Sequence, residues 1–205
     1  MTLAQRERQA LVQAMAEAGP DAPTLCGEWT TRDLAAHLIV RERRPDAAPG
    51  ILLKPFASYL EGVQRKVAQR PYPELLDRVR SGPPWLLRPV DALMNTTEMF
   101  VHHEDVRRGA PGWEPRTLSA EDENTLWKPL TGLARMAYRK SPVTVALTTP
   151  DGRRTVAHQA GDRTVVLAGP PSELLLHAFG RNQVRLEATG AAEDVALVHA
   201  LDRSV

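Results

Sequence analysis

The chain has 205 residues, of which 42% are apolar and 25% charged, and its formal net charge is +1. These values are those of an ordinary globular protein with one large or two small domains. A charge near zero gives no global electrostatic case for binding nucleic acid or an anionic membrane. No apolar run approaches the roughly 20 residues that span a bilayer. The N-terminus lacks the apolar segment of a signal peptide, so we expect a cytoplasmic protein.

Apolar periodicity and flanking Gly or Pro residues predict that about the first 140 residues are helical. The helices are expected at about 3–18, 31–44, 54–69, 73–80, 90–108 and 120–139. The second helix begins where Thr30 and Asp33 resemble a capping box, with Asp in place of the usual Glu or Gln. It ends before Pro45. His37 lies at its centre, on the side that is expected to be buried.

The pattern changes near residue 141, where apolar and polar residues begin to alternate in short runs typical of strands. Strands are predicted at 143–148, 155–157, 164–167 and 184–188, and helices at about 172–179 and 192–202. The predicted fold class is therefore α+β. We expect a helical domain at 1–140 and a small α+β domain at 141–205.

Glu98 and His102 are four residues apart, so a helix places their side chains on one face, one turn apart. At 100° per residue, the same stripe also carries Val90, Met94, Val101 and Asp105. A charged group on an apolar stripe is costly to bury unless it is paired or binds a metal. The stripe therefore predicts that something neutralises Glu98 and His102.

Together with His37, this pair offers two imidazoles and a carboxylate, and three protein ligands with an open position are typical of catalytic zinc sites. The same donors suit other divalent metals. The residues alone leave a second interpretation open, in which His102 pairs with Glu98 and His37 is a core histidine. His103 lies about 100° around the helix, so we expect His102 rather than His103 to share the site. Asp105 is placed to orient a ligand histidine, or else serves as a surface or capping residue.

The other polar residues are expected to have structural roles. Cys26 is the one cysteine in the sequence, so an internal disulfide is excluded. We expect Cys26 to be a packing or loop residue rather than a nucleophile. Arg181 is expected to be a solvated helix-end charge, with binding of an anionic substrate or thiol as the alternative. Three arginines are expected to lie on a solvated face, and three histidines to be structural: Arg41, Arg43 and Arg44, and His158, His177 and His199. The three arginines would attract an acidic substrate if they border the site.

The stretch from Cys26-Gly27-Glu28-Trp29 to His37-Leu38, followed by Glu98 and His102, resembles the mycothiol-dependent maleylpyruvate isomerase family. The stretch from Gly169 to Arg181 is similar to a helix in the smaller domain of that family. The resemblance thus covers nearly the whole chain. It implies a DinB-like four-helix bundle followed by a small sterol-carrier-like α+β domain.

The resemblance also implies a divalent metal, with zinc preferred, bound by His37, Glu98 and His102. It implies mycothiol as cosubstrate and an actinobacterial origin, with which an excess of 22 arginines over 4 lysines is compatible. The reaction implied by analogy is attack of a metal-bound thiolate on an electrophile, in a cis–trans isomerisation or a thiol transfer. Two alternatives use the same ligands: a non-catalytic metal-binding protein of this fold, and a metal-dependent hydrolase that uses bound water. The resemblance assigns no substrate.

Overall fold

A computed structural model of the chain describes residues 1–44, 57–83 and 92–203, without the side chains of residues 57 and 92–94. The chain forms two compact units, residues 1–113 and residues 114–205, which we describe separately. In the described ranges it is an α+β protein with eight helices and a small mixed sheet of four strands. None of these helices combines the length and the hydropathy needed to cross a membrane.

The first unit contains five helices at positions close to those predicted from the sequence. They are α1 (Leu3–Ala18), α2 (Thr31–Arg43), α3 (Ala57–Ala68), α4 (Tyr72–Ser81) and α5 (Ala92–Arg107). The start of α2 confirms the predicted capping box. The Thr30 hydroxyl accepts a bond from the Asp33 backbone N–H at 3.3 Å, and the Asp33 carboxylate accepts one from the Thr30 N–H at 3.0 Å. The predicted starts of the third and fifth helices lie outside the described residues.

The apolar core of the first unit is contributed by α1, α2, α4 and α5. Its buried members are Leu11, Val12, Met15, Leu34, Ala35, Leu38, Ile39, Leu75, Leu76, Val79, Met99 and Val106. Helix α1 packs against α5 and α4, while α2 packs against α3 and α4. The shared core holds the two helices that carry the predicted metal ligands in one compact unit.

Helix α5 is buried on nearly all sides rather than along one stripe. From Asn95 to Val106, every residue except Glu98 is buried. The polar residues off the predicted stripe have partners, as when His103 contacts Glu7 of α1 at 2.7 Å. Because these pairs substitute for apolar packing, α5 has no simple amphipathic pattern. Val90 and the side chain of Met94 lie outside the described residues.

The second unit combines a sheet with three helices. Its elements are α6 (Ala120–Ala137), β1 (Thr144–Thr148), β2 (Arg154–His158), β3 (Thr164–Ala168), α7 (Pro171–Ala178), β4 (Glu187–Thr189) and α8 (Ala192–His199). The strand order is β2-β1-β3-β4. Strand β1 pairs antiparallel with β2 and parallel with β3, and β3 pairs antiparallel with β4.

The compact units divide between Trp113 and Glu114, earlier than the boundary that the sequence places near residue 140. Helix α6 packs against α7 and β2. It therefore lies in the same unit as the sheet, although the sequence pattern changes from helix to strand only at β1. Helix α6 begins at Ala120, and strands β1 and β2 lie close to the strands predicted at 143–148 and 155–157.

Two elements near the C-terminus differ from their predicted bounds. Strand β4 begins at Glu187 rather than at residue 184, because its pairing with β3 begins where Glu187 meets Ala168, the last residue of β3. Helix α8 ends at His199 rather than at residue 202. The buried Arg203 side chain donates to the carbonyls of Val198 and His199, at 2.7 and 3.0 Å. These bonds satisfy carbonyl groups at the C-terminal end of the helix.

Candidate metal centre

Helices α2 and α5 bring His37, Glu98 and His102 together in the first unit. One ligand atom from each residue lies within 4.8 Å of the others. Glu98 Oε1 lies 3.3 Å from His102 Nε2 and 3.7 Å from His37 Nε2. The three residues that the sequence singled out therefore form one cluster, which we call the ligand cluster.

The ligand cluster is partly open to solvent. The side chains of His37, Glu98 and His102 are 20%, 21% and 11% exposed. Since a fully closed site would bury all three, the exposure leaves a route to the cluster for a small molecule. This openness is a feature of catalytic rather than structural metal sites.

The second ring nitrogen of His102 is held by a buried carboxylate. His102 Nδ1 lies 2.9 Å from Asp105 Oδ2, and Asp105 is fully buried. Histidine ligands commonly donate this second N–H to a carboxylate, which fixes the ring orientation. Asp105 thus has the orienting position that the sequence offered as one of two interpretations.

Cys26 also contacts this carboxylate, a contact that sequence reasoning missed. Its thiol donates to Asp105 Oδ2 at 3.0 Å, and its sulfur lies 3.7 Å from His102 Nδ1. Cys26, His102 and Asp105 form a second group with metal-ligand geometry. The distances to Asp105 are hydrogen-bond lengths, so this group is explained without an ion. No spacing signal could have found the contact, because the two residues are distant in sequence.

Arg41 contacts the ligand cluster and does not lie on a solvated face. Its Nε lies 3.2 Å from Glu98 Oε1, and its terminal nitrogen donates to Asn95 Oδ1 at 3.2 Å. The position was predictable, since Arg41 follows His37 by four residues and shares its helix face. The neighbouring Arg43 points elsewhere and donates to Ser81 Oγ at 2.7 Å.

An aromatic ring completes the surroundings of His37. The Trp29 and His37 ring centroids lie 5.0 Å apart, and the His37 and His102 rings meet edge to face with centroids 5.6 Å apart. Trp29 belongs to the motif that carries the family resemblance, but its contact with His37 is visible only in three dimensions.

Charges in the ligand cluster shift the pKa values of Glu98 and His102 in opposite directions. Burial works to raise the pKa of Glu98, but hydrogen bonds from His102 and His37 hold it well below its usual range. Burial works to lower the pKa of His102, but bonds with Asp105 and Cys26 raise it well above its usual value. Glu98 is therefore anionic at neutral pH, and its charge attracts cations.

The remaining candidates lie outside the ligand cluster. His103 pairs with Glu7, as described above, so His102 and not His103 faces His37. Arg181 donates to the carbonyl of Phe179, at the end of α7, as a helix-end charge does. In the second unit, His177 Nε2 and His199 Nδ1 meet at 3.2 Å, a contact that the sequence did not predict.

The donor set fits a divalent ion. Two imidazoles and an anionic carboxylate converge within ligand distance, one imidazole is oriented by a buried carboxylate, and the cluster is partly open. These are properties of the residues themselves. They make His37, Glu98 and His102 the candidates to hold a metal.

Comparison with known families gives one match. Residues 2–93 match the family model of the mycothiol maleylpyruvate isomerase N-terminal domain. The matched stretch includes His37 and ends before Glu98 and His102. Comparisons with curated proteins and with solved structures returned no match. The match covers a little under half of the chain, so the similarity to this family belongs to the N-terminal part.

Proposed function

We propose that this protein is a divalent-metal-dependent enzyme that uses a low-molecular-weight thiol, mycothiol, to isomerise a small electrophile or to transfer the thiol to it. The observation that carries the proposal is the ligand cluster of His37, Glu98 and His102. The match of residues 2–93 to the mycothiol maleylpyruvate isomerase N-terminal domain supports mycothiol as the thiol. Zinc is the preferred metal, since its catalytic sites commonly use three such ligands and an open position.

In this proposal, Glu98 supplies the negative charge of the site and the two histidines supply neutral nitrogen ligands. Asp105 accepts a hydrogen bond from the Nδ1–H of His102 and leaves Nε2 directed toward Glu98. A divalent ion held by these residues would lower the pKa of a thiol or a water and hold its anion at neutral pH. The chain supplies orientation and charge, and the metal supplies acidity.

We assign the nucleophile to an external thiol rather than to Cys26. The Cys26 thiol already donates to the buried Asp105. The thiol would lose its proton, and its sulfur would add to an electrophilic carbon of the substrate. In an isomerisation, the electron pair of the C=C bond shifts onto the substrate on addition, the resulting single bond rotates, and the C=C bond re-forms as the same thiolate leaves. In a transfer, the C–S bond remains and one thiol is consumed for each product; an unsaturated substrate takes up a proton, and a halogenated one releases halide.

Two rival functions use the same cluster. A hydrolase would use a bound water in place of the thiol and would turn over without mycothiol. A non-catalytic metal-binding protein would turn over nothing. The partial exposure of all three ligand side chains favours a site that admits a substrate, as both enzymatic functions require.

The first test is metal content. Untagged protein, purified without added metal, is analysed by elemental mass spectrometry as the wild type and as His37→Ala. The matched control is His158→Ala, which removes a partly exposed histidine of the second unit. We expect about one divalent ion per chain in the wild type and control, and a loss of most of it in His37→Ala. A wild type that stays metal-free after reconstitution with Zn²⁺ would refute the proposal.

The second test separates the reactions. Metal-loaded protein is incubated with mycothiol and a panel of small unsaturated or halogenated electrophiles, and free thiol is titrated as product forms. Product without loss of thiol indicates isomerisation, and loss of one thiol per product indicates transfer. Turnover that is equal with and without mycothiol would favour the hydrolase. The His37→Ala variant corrects for uncatalysed thiol chemistry.

The finer features of the sequence-based interpretation stay predictions. The core shared by four helices supports a DinB-like bundle, and the small mixed sheet with its helices supports a sterol-carrier-like second domain. The cytoplasmic location, the actinobacterial origin and the absence of a nucleic-acid or membrane partner rest on the sequence alone. The proposed partners are a small thiol and a small electrophile.

A further inference from the structure

We propose that Cys26 is a positioning residue for the ligand cluster, and that its thiol acts by holding the Asp105 carboxylate against His102. The inference rests on the proposed metal binding, because its consequence is a change in metal affinity. It adds to the proposed function a residue that lies outside the ligand cluster and on a different element.

Cys26 and His102 contact the same oxygen of Asp105. Asp105 Oδ2 accepts a hydrogen bond from the Cys26 thiol at 3.0 Å and lies 2.9 Å from His102 Nδ1. One oxygen of a fully buried carboxylate therefore carries both contacts. A buried carboxylate that loses a hydrogen-bond donor is strongly destabilised. Removing the thiol proton should thus loosen the carboxylate at the atom that orients His102.

The loop that carries Cys26 is also attached to Asp105 through its backbone. We call residues 23–30 the Cys26 loop. The N–H of Leu25 donates to the backbone carbonyl of Asp105 at 3.1 Å, so two successive loop residues bond to Asp105. Within the loop, the Thr24 hydroxyl donates to the Trp29 carbonyl at 2.7 Å and accepts from the Cys26 N–H at 3.1 Å. The thiol is therefore presented from a fixed turn.

The Cys26 loop contacts both helices that carry the candidate ligands. At one end Cys26 reaches Asp105 and His102 of α5. At the other end, Trp29 lies 5.0 Å from His37 of α2, measured between ring centroids. The loop is thus built to hold the orientation of His102 and the position of His37 together. Outer-shell partners of this kind commonly contribute 10–100-fold to metal affinity.

The experiment measures the affinity of Co²⁺ and Zn²⁺ by competition with a chelator, for the wild type, Cys26→Ala and Cys26→Ser. We expect Cys26→Ala to weaken binding about tenfold, the low end of the usual outer-shell range, since the Asp105–His102 contact persists. Cys26→Ser keeps a donor and should restore most of the affinity. Thermal melts of the metal-free proteins report any general loss of stability.

A spectroscopic readout separates positioning from packing. In the Co²⁺-loaded protein, the Nδ1 proton of a ligand histidine gives a paramagnetically shifted, exchangeable NMR signal. The His102 signal should move and exchange faster in Cys26→Ala, and return toward the wild-type position in Cys26→Ser. A residue that only fills space would leave this signal unchanged.

Chemical modification of the Cys26 thiol tests the same role in the folded wild type, without a substitution. Because Cys26 is the only cysteine, methyl methanethiosulfonate modifies the folded, metal-free wild type at one sulfur. The reagent forms a methyl disulfide, releases a sulfinate and removes the thiol proton. The capped protein should lose as much metal affinity as Cys26→Ala.

The outcomes distinguish this inference from the proposed function. Equal affinity in the wild type, Cys26→Ala and the capped protein would overturn the role of Cys26 and leave the metal site intact. Equal losses in Cys26→Ala and Cys26→Ser would also overturn it, because the donor would not matter. A wild type that binds no metal would overturn the proposed function, and this inference with it.

Discussion

Arg41 and Glu98 form an ion pair at the same carboxylate oxygen that faces both histidines. Arg41 Nε lies 3.2 Å from Glu98 Oε1, and His102 Nε2 lies 3.3 Å from that oxygen. A guanidinium is charged at every accessible pH. In the metal-free protein it neutralises Glu98, and in the loaded protein it would repel a divalent ion bound to the same oxygen.

We therefore expect Arg41→Gln to bind divalent metal more tightly than the wild type. Loss of one nearby positive charge at a partly screened site is worth on the order of 1.4 kcal/mol, or about tenfold in affinity. The measurement is chelator competition with Zn²⁺. The matched control is Arg43→Gln, since Arg43 bonds to Ser81 and Gly82 and not to the ligand cluster. Weaker binding in Arg41→Gln would mean that Arg41 orients Glu98 rather than competing for it.

Sequence reasoning found the elements and the three ligand candidates because each has a local signal. Helix α2 has its capping box, and Glu98 and His102 have their four-residue spacing. The structure brings His37 to that pair. The position of His37 at the centre of a helix, and the family motif around it, were sufficient to select it.

Other contacts around the ligand cluster have no local signal of this kind. Cys26 meets Asp105 through tertiary packing, and a sequence carries no sign of such a pair unless the spacing is local. The stripe on α5 predicted one buried face, whereas buried polar contacts such as His103 with Glu7 allow the other faces to be buried too. The unit boundary was also set by packing, since α6 joins the sheet it covers.

Replacing His103 by Ala should cost stability and leave the metal bound. His103 and Glu7 are both buried and meet at 2.7 Å, so the variant removes a hydrogen bond from a buried carboxylate. Losses of this kind are about 1.5–3 kcal/mol. Urea denaturation measures the loss, and elemental analysis at low temperature measures the metal. Loss of the metal from a folded His103→Ala would show that the wrong histidine of the pair was chosen.

Gly109→Ala should destabilise the first unit. A Cβ at this position would lie 2.2 Å from the carbonyl oxygen of Pro23, so the Cys26 loop or the end of α5 must move. Overpacking of this kind costs about 1–3 kcal/mol, and here the obstructing atom belongs to the backbone. The measurement is urea denaturation together with Zn²⁺ affinity, which should fall because the displaced loop carries Cys26.

The control for this substitution is Gly132→Ala, in the interior of α6. A Cβ there meets no atom within 4 Å. Alanine exceeds glycine in helix propensity by about 0.8–1.0 kcal/mol, so this variant should be neutral or more stable than the wild type. If Gly109→Ala behaved like Gly132→Ala, the close approach of Pro23 to α5 would not constrain the protein.

The second unit should lose stability in acid because of His177. Burial, followed by the charge of Arg203 and the neighbouring His199, lowers the pKa of His177 to about 3. The folded pKa lies below the unfolded value of about 6.5. The neutral histidine therefore stabilises the fold fully above about pH 6.5, and this stabilisation is lost as the pH falls toward 3. Across that window the contribution is about 1.4 kcal/mol per pH unit.

The measurement compares the wild type with His177→Gln between pH 4.5 and 7.5, using hydrogen exchange of peptides from residues 114–205 in a urea series. Because the carboxylates titrate equally in both proteins, the difference in slope isolates His177. We expect the slope to be shallower in His177→Gln. A glutamine can still bond to the Tyr138 hydroxyl, which lies 2.6 Å from His177 Nδ1 in the wild type. Identical slopes in the wild type and His177→Gln would show that the folded protein protonates His177 as readily as the unfolded chain does.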